Sequence, residues 1–200
     1  SYLRCPFCFY YKTILRIPRV RDKFSSLGSA VHESLSYLFD TYRRERQTLT
    51  KEELLIHFKK TLRSQGLDRS RFSPAFKQGK QILSRYYDHH LDEVSNPCLT
   101  DYDFSTRSLY LDNIPLTGKI DKIDILDKKI GGKNLVNLID FKTGNPDSKY
   151  KELGPDGDYF RQLVFYQILA QLDSDFPYQV NDVIIDFVQE SRNRHTFVKK

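Results

Sequence analysis

Methionine and tryptophan are absent from this 200-residue sequence, and cysteine occurs only three times, at Cys5, Cys8 and Cys98. Three cysteines cannot form a closed disulfide framework, so we expect a reducing, cytoplasmic setting. No apolar run approaches the length of a membrane-spanning helix and no signal-peptide pattern opens the chain, so we expect no membrane partner. Because the chain begins at Ser1 and lacks methionine, we expect it to be a fragment of a larger protein.

The composition is that of a globular protein with excess positive charge. Hydrophobic residues make up 39% and aromatic residues 14% of the sequence, which is enough for a sizeable core. The length suits one domain spanning 1–200. Lysine and arginine number 32 against 26 aspartates and glutamates, giving a net charge of +6. This excess suits a polyanionic partner without identifying one.

A strong amphipathic helix is predicted over 28–42. Apolar residues recur there at helical spacing on one face: Leu27, Val31, Leu35, Leu38, Phe39 and Tyr42. His32 lies beside this face, one position after Val31. A stretch of small residues at 28–30 allows another part of the backbone to approach closely.

Two further helices are predicted, and together they indicate a helical insertion over about 46–95. Thr50–Glu53 has the pattern of a capping box that opens one helix, which Gly66 closes. Ser73–Pro74 predicts the start of the other, which runs to about Val94. The inward residues of that helix are expected to be Phe76, Ile82, Leu83, Tyr86, Tyr87, Leu91 and Val94.

The second half of the chain changes to the period of β-strands. Three successive strands are predicted near 101–111, 114–126 and 134–143, with turns at 112–113 and 131–132. A mostly apolar helix over 159–172 and a fourth strand over 180–188 follow. The order of elements therefore predicts a mixed α/β fold.

Two charged residues interrupt the third strand where apolar residues are expected. Asp140 and Lys142 are two positions apart, so their side chains point to the same face, on the order of 6–7 Å apart. The run Leu135–Ile139 before them indicates a covered sheet. Ionised groups in such a place need partners or a metal.

Other polar residues are candidates for the same place. Asp121 lies on the second strand, His32 on the first helix, and Gln162 and Tyr166 sit one turn apart on the later helix. Oxygen-rich sites with one imidazole suit Mg²⁺ or Mn²⁺. Taken singly, each has an ordinary explanation, such as an exposed ion pair or a solvated helix face. As a set they indicate a metal site, which with a lysine alongside suits hydrolysis of a phosphodiester.

Four motifs in a fixed order carry a resemblance to a known family. They are Gly-x-x-x-His at 28–32, Gly-x-x-Asp at 118–121, Asp-x-Lys-Thr-Gly at 140–144 and Gln-x-x-x-Tyr at 162–166. With the opening Tyr2-x-x-Cys5-Pro6, followed by Phe9-Tyr10, the set resembles the RecB-like nucleases of the PD-(D/E)-x-K superfamily. These include nuclease domains attached to UvrD-type helicases and CRISPR-associated exonucleases. The resemblance extends from residue 2 to about 188.

The resemblance implies both a fold and an activity. The fold would be an α/β (α+β) restriction-endonuclease-like core, with a central mixed β-sheet flanked by helices. The activity would be divalent-metal-dependent hydrolysis of DNA, by an exonuclease more than an endonuclease, in a domain that serves a helicase in recombination or repair. The chain contains no Gly-x-x-x-x-Gly-Lys-Ser/Thr motif, so an ATP-driven motor would lie outside it.

The resemblance also implies roles for individual residues. His32, Asp121, Asp140 and the backbone carbonyl of Phe141 would bind one or two ions of Mg²⁺ or Mn²⁺. Asp121, Asp140 and Lys142 would form the catalytic set, with Lys142 polarising or positioning the attacking water. In addition, Gln162 and Tyr166 would contact the DNA strand near the scissile phosphate.

Some positions depart from the family pattern. The family has a glutamate on its first strand, where this chain has Asp103 or Asp101, and Asp124 is interpreted as structural. Some members bind a [4Fe–4S] cluster through one early and three late cysteines. Cys5 matches the first, but no cysteine follows Cys98, so this chain carries no complete iron–sulfur ligand set.

Two rival functions stay open. One is a catalytically silent nuclease-like domain that binds DNA or braces a helicase partner. The other is a stand-alone restriction-type endonuclease, against which the Gln-x-x-x-Tyr motif argues. Near the start, basic residues such as Arg19 and Arg21 could track phosphates, and aromatic residues such as Phe7 could stack on unpaired bases, although core packing explains the aromatics equally well.

Overall fold

A computed structural model describes residues 5–17 and 23–191 of the chain. Tyr2, Arg19 and Arg21, which entered the sequence predictions, lie outside these residues. The helices are α1 (Pro6–Phe9), continued by a π-helical turn (Tyr10–Ile14), α2 (Lys23–Glu45), α3 (Lys51–Ser64), α4 (Arg69–His90), α5 (Pro146–Lys149) and α6 (Asp158–Leu172). Short 3₁₀ turns follow α4 (Leu91–Ser95) and α5 (Tyr150–Leu153). None of the helices in this part of the chain is long and apolar enough to cross a membrane.

Four strands form a central mixed sheet, as predicted. They are β1 (Cys98–Asp103), β4 (Lys119–Ile130), β5 (Lys133–Lys142) and β6 (Gln179–Phe187), in the spatial order β1-β4-β5-β6. Neighbours are antiparallel except β5 and β6, which are parallel. A parallel pair needs a crossover connection, and the chain between these two strands contains α6. A separate two-stranded hairpin joins β2 (Leu109–Leu111) to β3 (Ile114–Leu116).

Helices cover both faces of the sheet because the strands alternate buried side chains between them. Ile139 and Phe141 of β5 pack into the core formed with α2, α3 and α4. Val136 and Leu138 of the same strand pack into the core that contains Tyr166 of α6. Asp140 follows Leu138 by two positions and therefore points toward the α6 side.

The helix predicted over 28–42 is confirmed and extends to Lys23 and Glu45. Its predicted apolar face is the buried one, since Leu27, Val31 and Leu35 are all inaccessible to solvent. The helix therefore forms because its 3.6-residue apolar period matches the covered face of the sheet.

The predicted start of the third helix is wrong. α4 begins at Arg69, because the Asp68 side chain caps it by accepting a hydrogen bond from the Arg71 N–H at 2.9 Å. Pro74 consequently lies in the second turn, where its missing N–H costs one helical hydrogen bond. Leu91 is also not inward: it lies in the 3₁₀ turn after the helix and is 40% exposed.

The capping box at the start of α3 is confirmed. The Thr50 side chain accepts from the Glu53 N–H, and the Glu53 carboxylate accepts from the Thr50 N–H at 2.8 Å. The helix ends at Ser64, two residues before Gly66, which has a positive φ of 71°. Both ends therefore follow from the residues that flank the helix.

The predicted strands at 101–111 and 114–126 are each broken in two. Phe104 is fully buried and donates its N–H to the Gly118 carbonyl at 2.8 Å, and the chain then turns away from the sheet. The Asp103 carboxylate supports this turn by accepting from the Ser105 N–H. Residues 109–116 then form the separate hairpin around the predicted Asp112-Asn113 turn, where both residues have positive φ.

Close packing between α3 and α4 yields a stability prediction. A Cβ atom at Gly79 would lie 2.1 Å from the ring of Phe58, which is fully buried. We expect Gly79→Ala to lower the free energy of unfolding by about 1–3 kcal/mol, because overpacking outweighs the roughly 1 kcal/mol that alanine gains over glycine in a helix. Chemical denaturation monitored by circular dichroism measures this.

The matched control is Gly154→Ala. A Cβ there meets only the Lys151 carbonyl at 3.5 Å, an ordinary contact. We expect this variant to lie within about 0.5 kcal/mol of the wild type. Equal stability of the two variants would contradict the close approach of α3 and α4 at Gly79.

Candidate active site

The centre of the site is the Asp140–Lys142 pair at the end of β5. Both side chains lie on the α6 side of the sheet, and the Lys142 ammonium forms an ion pair with Asp140 Oδ2. Asp140 is only 2% exposed, whereas Lys142 is partly exposed. A buried carboxylate requires a compensating charge and hydrogen bonds, and here the lysine on the same strand supplies the charge.

Helix α6 supplies the hydrogen bonds. Tyr166 donates its hydroxyl to Asp140 Oδ1 at 2.8 Å, and the Gln162 amide donates to the same oxygen at 2.8 Å. The Gln162 carbonyl oxygen accepts from Lys142 Nζ at 2.7 Å. Because Gln162 and Tyr166 lie one turn apart, both side chains reach the strand, and together they fix the carboxylate and the ammonium relative to each other.

Asp121 lies beside this pair on the neighbouring strand. The register that pairs Lys122 with Ile139 places Asp121 opposite Asp140 one step further along. Its Oδ2 accepts the Phe141 backbone N–H at 2.9 Å and lies 3.1 Å from His32 Nδ1. The structure therefore brings the two predicted carboxylates and the predicted histidine to one end of the sheet.

Helix α2 reaches this end of the sheet through its small residues. A Cβ at Gly28 would lie 3.4 Å from Thr143 Oγ1, an ordinary van der Waals contact, so α2 passes directly beside the residue that follows β5. His32 is one turn further along and contacts Asp121. The ring of Phe141 packs on the opposite face, stacked on Phe39 with ring centroids 6.3 Å apart.

The pKa values of the two carboxylates, Asp140 and Asp121, shift in opposite directions. Burial raises the pKa of Asp140, and the nearby charge of Asp121 raises it further, although Lys142 lowers it. Burial also acts to raise the pKa of Asp121, but the contact with His32 and the hydrogen bond from the Phe141 N–H lower it overall. The pKa of Tyr166 is raised by burial and by the charge of Asp140, so Tyr166 stays a hydrogen-bond donor.

The three remaining acidic candidates lie apart from this centre. Asp101 is exposed, pairs with Lys119 at 2.6 Å and accepts from the Ser36 hydroxyl, one turn along α2 from His32. Asp103 accepts the Ser105 N–H in a turn. Neither contacts Asp121 or Asp140 among the described residues.

Asp124 belongs to a second buried ion pair, on the opposite face of the sheet. Its Oδ1 lies 2.8 Å from the ammonium of Lys122, which is only 2% exposed. The same ammonium lies 3.9 Å from the ring centroid of Phe39. Asp124 therefore compensates a buried lysine in the helical layer, which agrees with its interpretation as structural.

Tyr159 was missed by the sequence reasoning. Its ring centroid lies 5.1 Å from Lys142 Nζ, a cation–π contact. Burial and the charges of Glu152 and Asp140 raise its pKa. A signal was present in the sequence, because Tyr159 precedes Gln162 by three positions and so shares its face of α6.

Comparison with known proteins agrees with this geometry. A family described as the PD-(D/E)XK nuclease superfamily matches residues 1–196. The chain belongs to this superfamily. The predicted superfamily and the predicted core, a mixed sheet flanked by helices, are thereby confirmed. A search of curated proteins found no match.

PD-(D/E)XK nucleases generally use divalent metals such as Mg²⁺, and the donor set of this chain fits such an ion. Two carboxylates and one imidazole lie together, and oxygen-rich sites of this kind suit hard cations. Asp140 Oδ2 is buried and forms an ion pair with the Lys142 ammonium, so the surroundings of this oxygen favour positive charge. However, no three His, Cys, Asp or Glu side chains converge as a preformed metal group within 5–17 and 23–191. In their present positions, His32, Asp121 and Asp140 therefore do not form a complete ligand set for an ion.

The cysteines take no part in this site of the PD-(D/E)XK fold. All three are free thiols: Cys98 is buried, and the Cys8 N–H donates to Cys5 Sγ at 3.3 Å within the first turn of α1. The structure therefore adds no ligand to the incomplete iron–sulfur set.

The lowered pKa of Asp121 predicts a pH-dependent stability. Because its folded pKa is depressed, the ionised carboxylate stabilises the fold above the unfolded pKa, roughly 3.9, and this contribution is lost as the pH falls through the folded value. We expect Asp121→Asn to lower the free energy of unfolding by about 1–2 kcal/mol at neutral pH, and by less near pH 3. Urea denaturation at both pH values measures the difference.

Asp127→Asn serves as the control, since Asp127 is exposed on the same strand. Its effect on stability is expected to be small and similar at both pH values. If the cost of Asp121→Asn were unchanged or larger in acid, the contacts described for Asp121 would not be its main stabilising interactions.

Proposed function

We propose that this chain is a divalent-metal-dependent deoxyribonuclease of the RecB-like branch, which hydrolyses DNA phosphodiester bonds. The observation that carries the proposal is the buried Asp140–Lys142 pair, held by Gln162 and Tyr166 with Asp121 and His32 alongside. Superfamily membership supports a metal-dependent nuclease. The DNA substrate rests on the RecB-like motifs and on the net charge of +6.

Asp121, Asp140, His32 and the Phe141 carbonyl would hold the ion, for which Mg²⁺ and Mn²⁺ are the candidates. When bound, the ion supplies Lewis-acid chemistry at the phosphoryl group and lowers the pKa of water. The two aspartates bring negative charge to a site with little exposure to water, which favours cation binding over a neutral ligand set. The hydrogen bonds to Asp140 Oδ1 from α6 keep this carboxylate oriented.

Lys142 would act on the water and the phosphate. Its ammonium carries three donors, of which the present contacts engage Asp140 and Gln162. A remaining donor can orient an attacking water, and the charge offsets the negative charge that develops on the phosphate oxygens. Gln162 positions the lysine through its carbonyl oxygen, so we assign it a positioning role in addition to contact with the DNA strand.

The proposed context is the nuclease domain of a helicase–nuclease in recombination or repair, with exonuclease action preferred. This context rests on the order of the four motifs, with Gln-x-x-x-Tyr last, which is the pattern of the helicase-associated branch. The proposed partners are a helicase domain or subunit and DNA, either single-stranded or at duplex ends.

A catalytically silent domain that binds DNA or braces a helicase is the second candidate. One observation favours it: Asp140 pairs with Lys142, and Asp121 contacts His32 and the Phe141 N–H, so both carboxylates already have partners within the protein. This alternative predicts DNA binding without metal-dependent turnover.

Cleavage of DNA by two variants tests the proposal. The purified domain is incubated with linear single-stranded and duplex DNA in Mg²⁺ or Mn²⁺, beside Asp140→Ala and Lys142→Ala. Because each variant removes one partner of the central pair, we expect cleavage to fall by at least about 10²-fold in both. Gel electrophoresis of end-labelled DNA measures the rate, and circular dichroism checks that each variant is folded.

Asp127→Ala and Lys119→Ala are the matched controls, since both residues lie on β4 and are exposed. They are expected to cleave at the rate of the wild type. Equal cleavage by the wild type and both site variants would assign the activity to a contaminant. DNA binding without any metal-dependent cleavage by the wild type would favour the silent domain.

A further inference from the structure

One side of α2 extends from the candidate active site toward the start of the helix. Phe24, Gly28 and His32 are four positions apart, so they follow one another on nearly the same side of the helix. Gly28 lies against Thr143 and His32 contacts Asp121. Phe24 therefore extends this line beyond the end of β5, on the order of 12 Å along the helix axis from His32.

Phe24 is a large apolar residue that the core does not bury. It is 73% exposed, although it belongs to a helix whose apolar face is otherwise buried. A single exposed aromatic residue is ordinary on a protein surface. What distinguishes Phe24 is its position, because it lies on the same side of α2 as His32, a proposed metal ligand.

A positively charged side chain, Lys23, lies next to the exposed ring of Phe24. The Lys23 ammonium lies 5.7 Å from the ring centroid of Phe24. Across the end of β5, Lys142 Nζ lies 5.1 Å from the ring centroid of Tyr159, whose hydroxyl would be 3.9 Å from a Cβ at Gly144. An aromatic ring with a neighbouring cation thus lies on α2, at Phe24 and Lys23, and a second such pair, Tyr159 and Lys142, lies beside Asp140. This combination is complementary to a polyanion with flat bases.

We propose that Phe24 stacks on an unpaired base close to the scissile phosphate and thereby selects single-stranded DNA. The inference rests on the proposed nuclease function and adds a positioning and specificity-determining residue to it. An aromatic side chain can stack on the face of an unpaired base, whereas neighbouring base pairs cover that face inside a duplex. Lys23 would pair with a phosphate of the same strand.

Binding measured without metal separates this inference from catalysis. Fluorescence anisotropy of a labelled oligothymidine strand in EDTA gives the dissociation constant for the wild type, Phe24→Ala and Phe24→Trp. We expect about tenfold weaker binding for Phe24→Ala, because the stacking contact is lost, and wild-type binding for Phe24→Trp. Ile56→Ala is the matched control, since Ile56 on α3 is 69% exposed and is expected to have no effect.

A scan with abasic nucleotides identifies the stacking itself. Removing one base at a time from the strand should reveal a position where the loss weakens wild-type binding about tenfold and leaves Phe24→Ala unaffected. A merely structural role of Phe24 would give the same loss for both proteins at every position. A blunt duplex of the same length should bind more weakly and respond little to Phe24→Ala.

The inference is overturned if Phe24→Ala binds the strand like the wild type, if no abasic position is coupled to Phe24, or if the duplex depends on Phe24 equally. Failure of the wild type to bind the strand at all also overturns it. The proposed function fails separately, through absence of metal-dependent cleavage. Coupled stacking without any cleavage would therefore retain the contact of Phe24 with an unpaired base and remove the nuclease.

Discussion

The burial of the Asp140 carboxylate is the constraint on which the rest of the site depends. An ionised carboxylate that is 2% exposed is costly unless a charge and hydrogen bonds surround it. Lys142 supplies the charge, and α6 supplies the donors through Gln162 and Tyr166. The packing of α6 against β5 therefore serves the fold and the site together, since a displaced helix would leave the carboxylate without its donors.

The pKa values of Asp121 and Asp140 shift in opposite directions, so the two carboxylates differ in how readily they ionise. Asp121 is kept ionised by His32 and the Phe141 N–H, whereas burial and the charge of Asp121 favour the protonated form of Asp140. A cation between them would relieve their mutual repulsion, as the proposed metal site requires. In the structure, both carboxylates have partners within the protein, Lys142 for Asp140 and His32 for Asp121. In the proposed catalytic state, His32 and the two carboxylates would hold a metal ion, and the remaining donor of Lys142 would orient the attacking water.

Features that depend on neighbouring residues could be predicted from the sequence better than features that depend on distant residues. Helix α2, the capping box of α3 and the common face of Asp140 and Lys142 follow from periodicity and neighbouring residues, so they could be predicted. The break of the predicted strand 101–111 at Phe104 depends on burial against distant elements and on a hydrogen bond to Gly118, which no local pattern encodes. The start of α4 was missed because Asp68 and Ser73 both suit an N-cap, and only the folded chain shows which one is used.

The central claim is that Asp121 and Asp140 form one metal site, and direct Mn²⁺ binding tests it most directly. Isothermal titration calorimetry compares the wild type with Asp121→Asn, Asp140→Asn and the control Asp127→Asn, with folding of each checked by circular dichroism. Because both carboxylates are required, the wild type and the control are expected to bind Mn²⁺, and each site variant to bind at least about tenfold more weakly. Absence of Mn²⁺ binding by the wild type, or equal binding by all four proteins, would contradict the account.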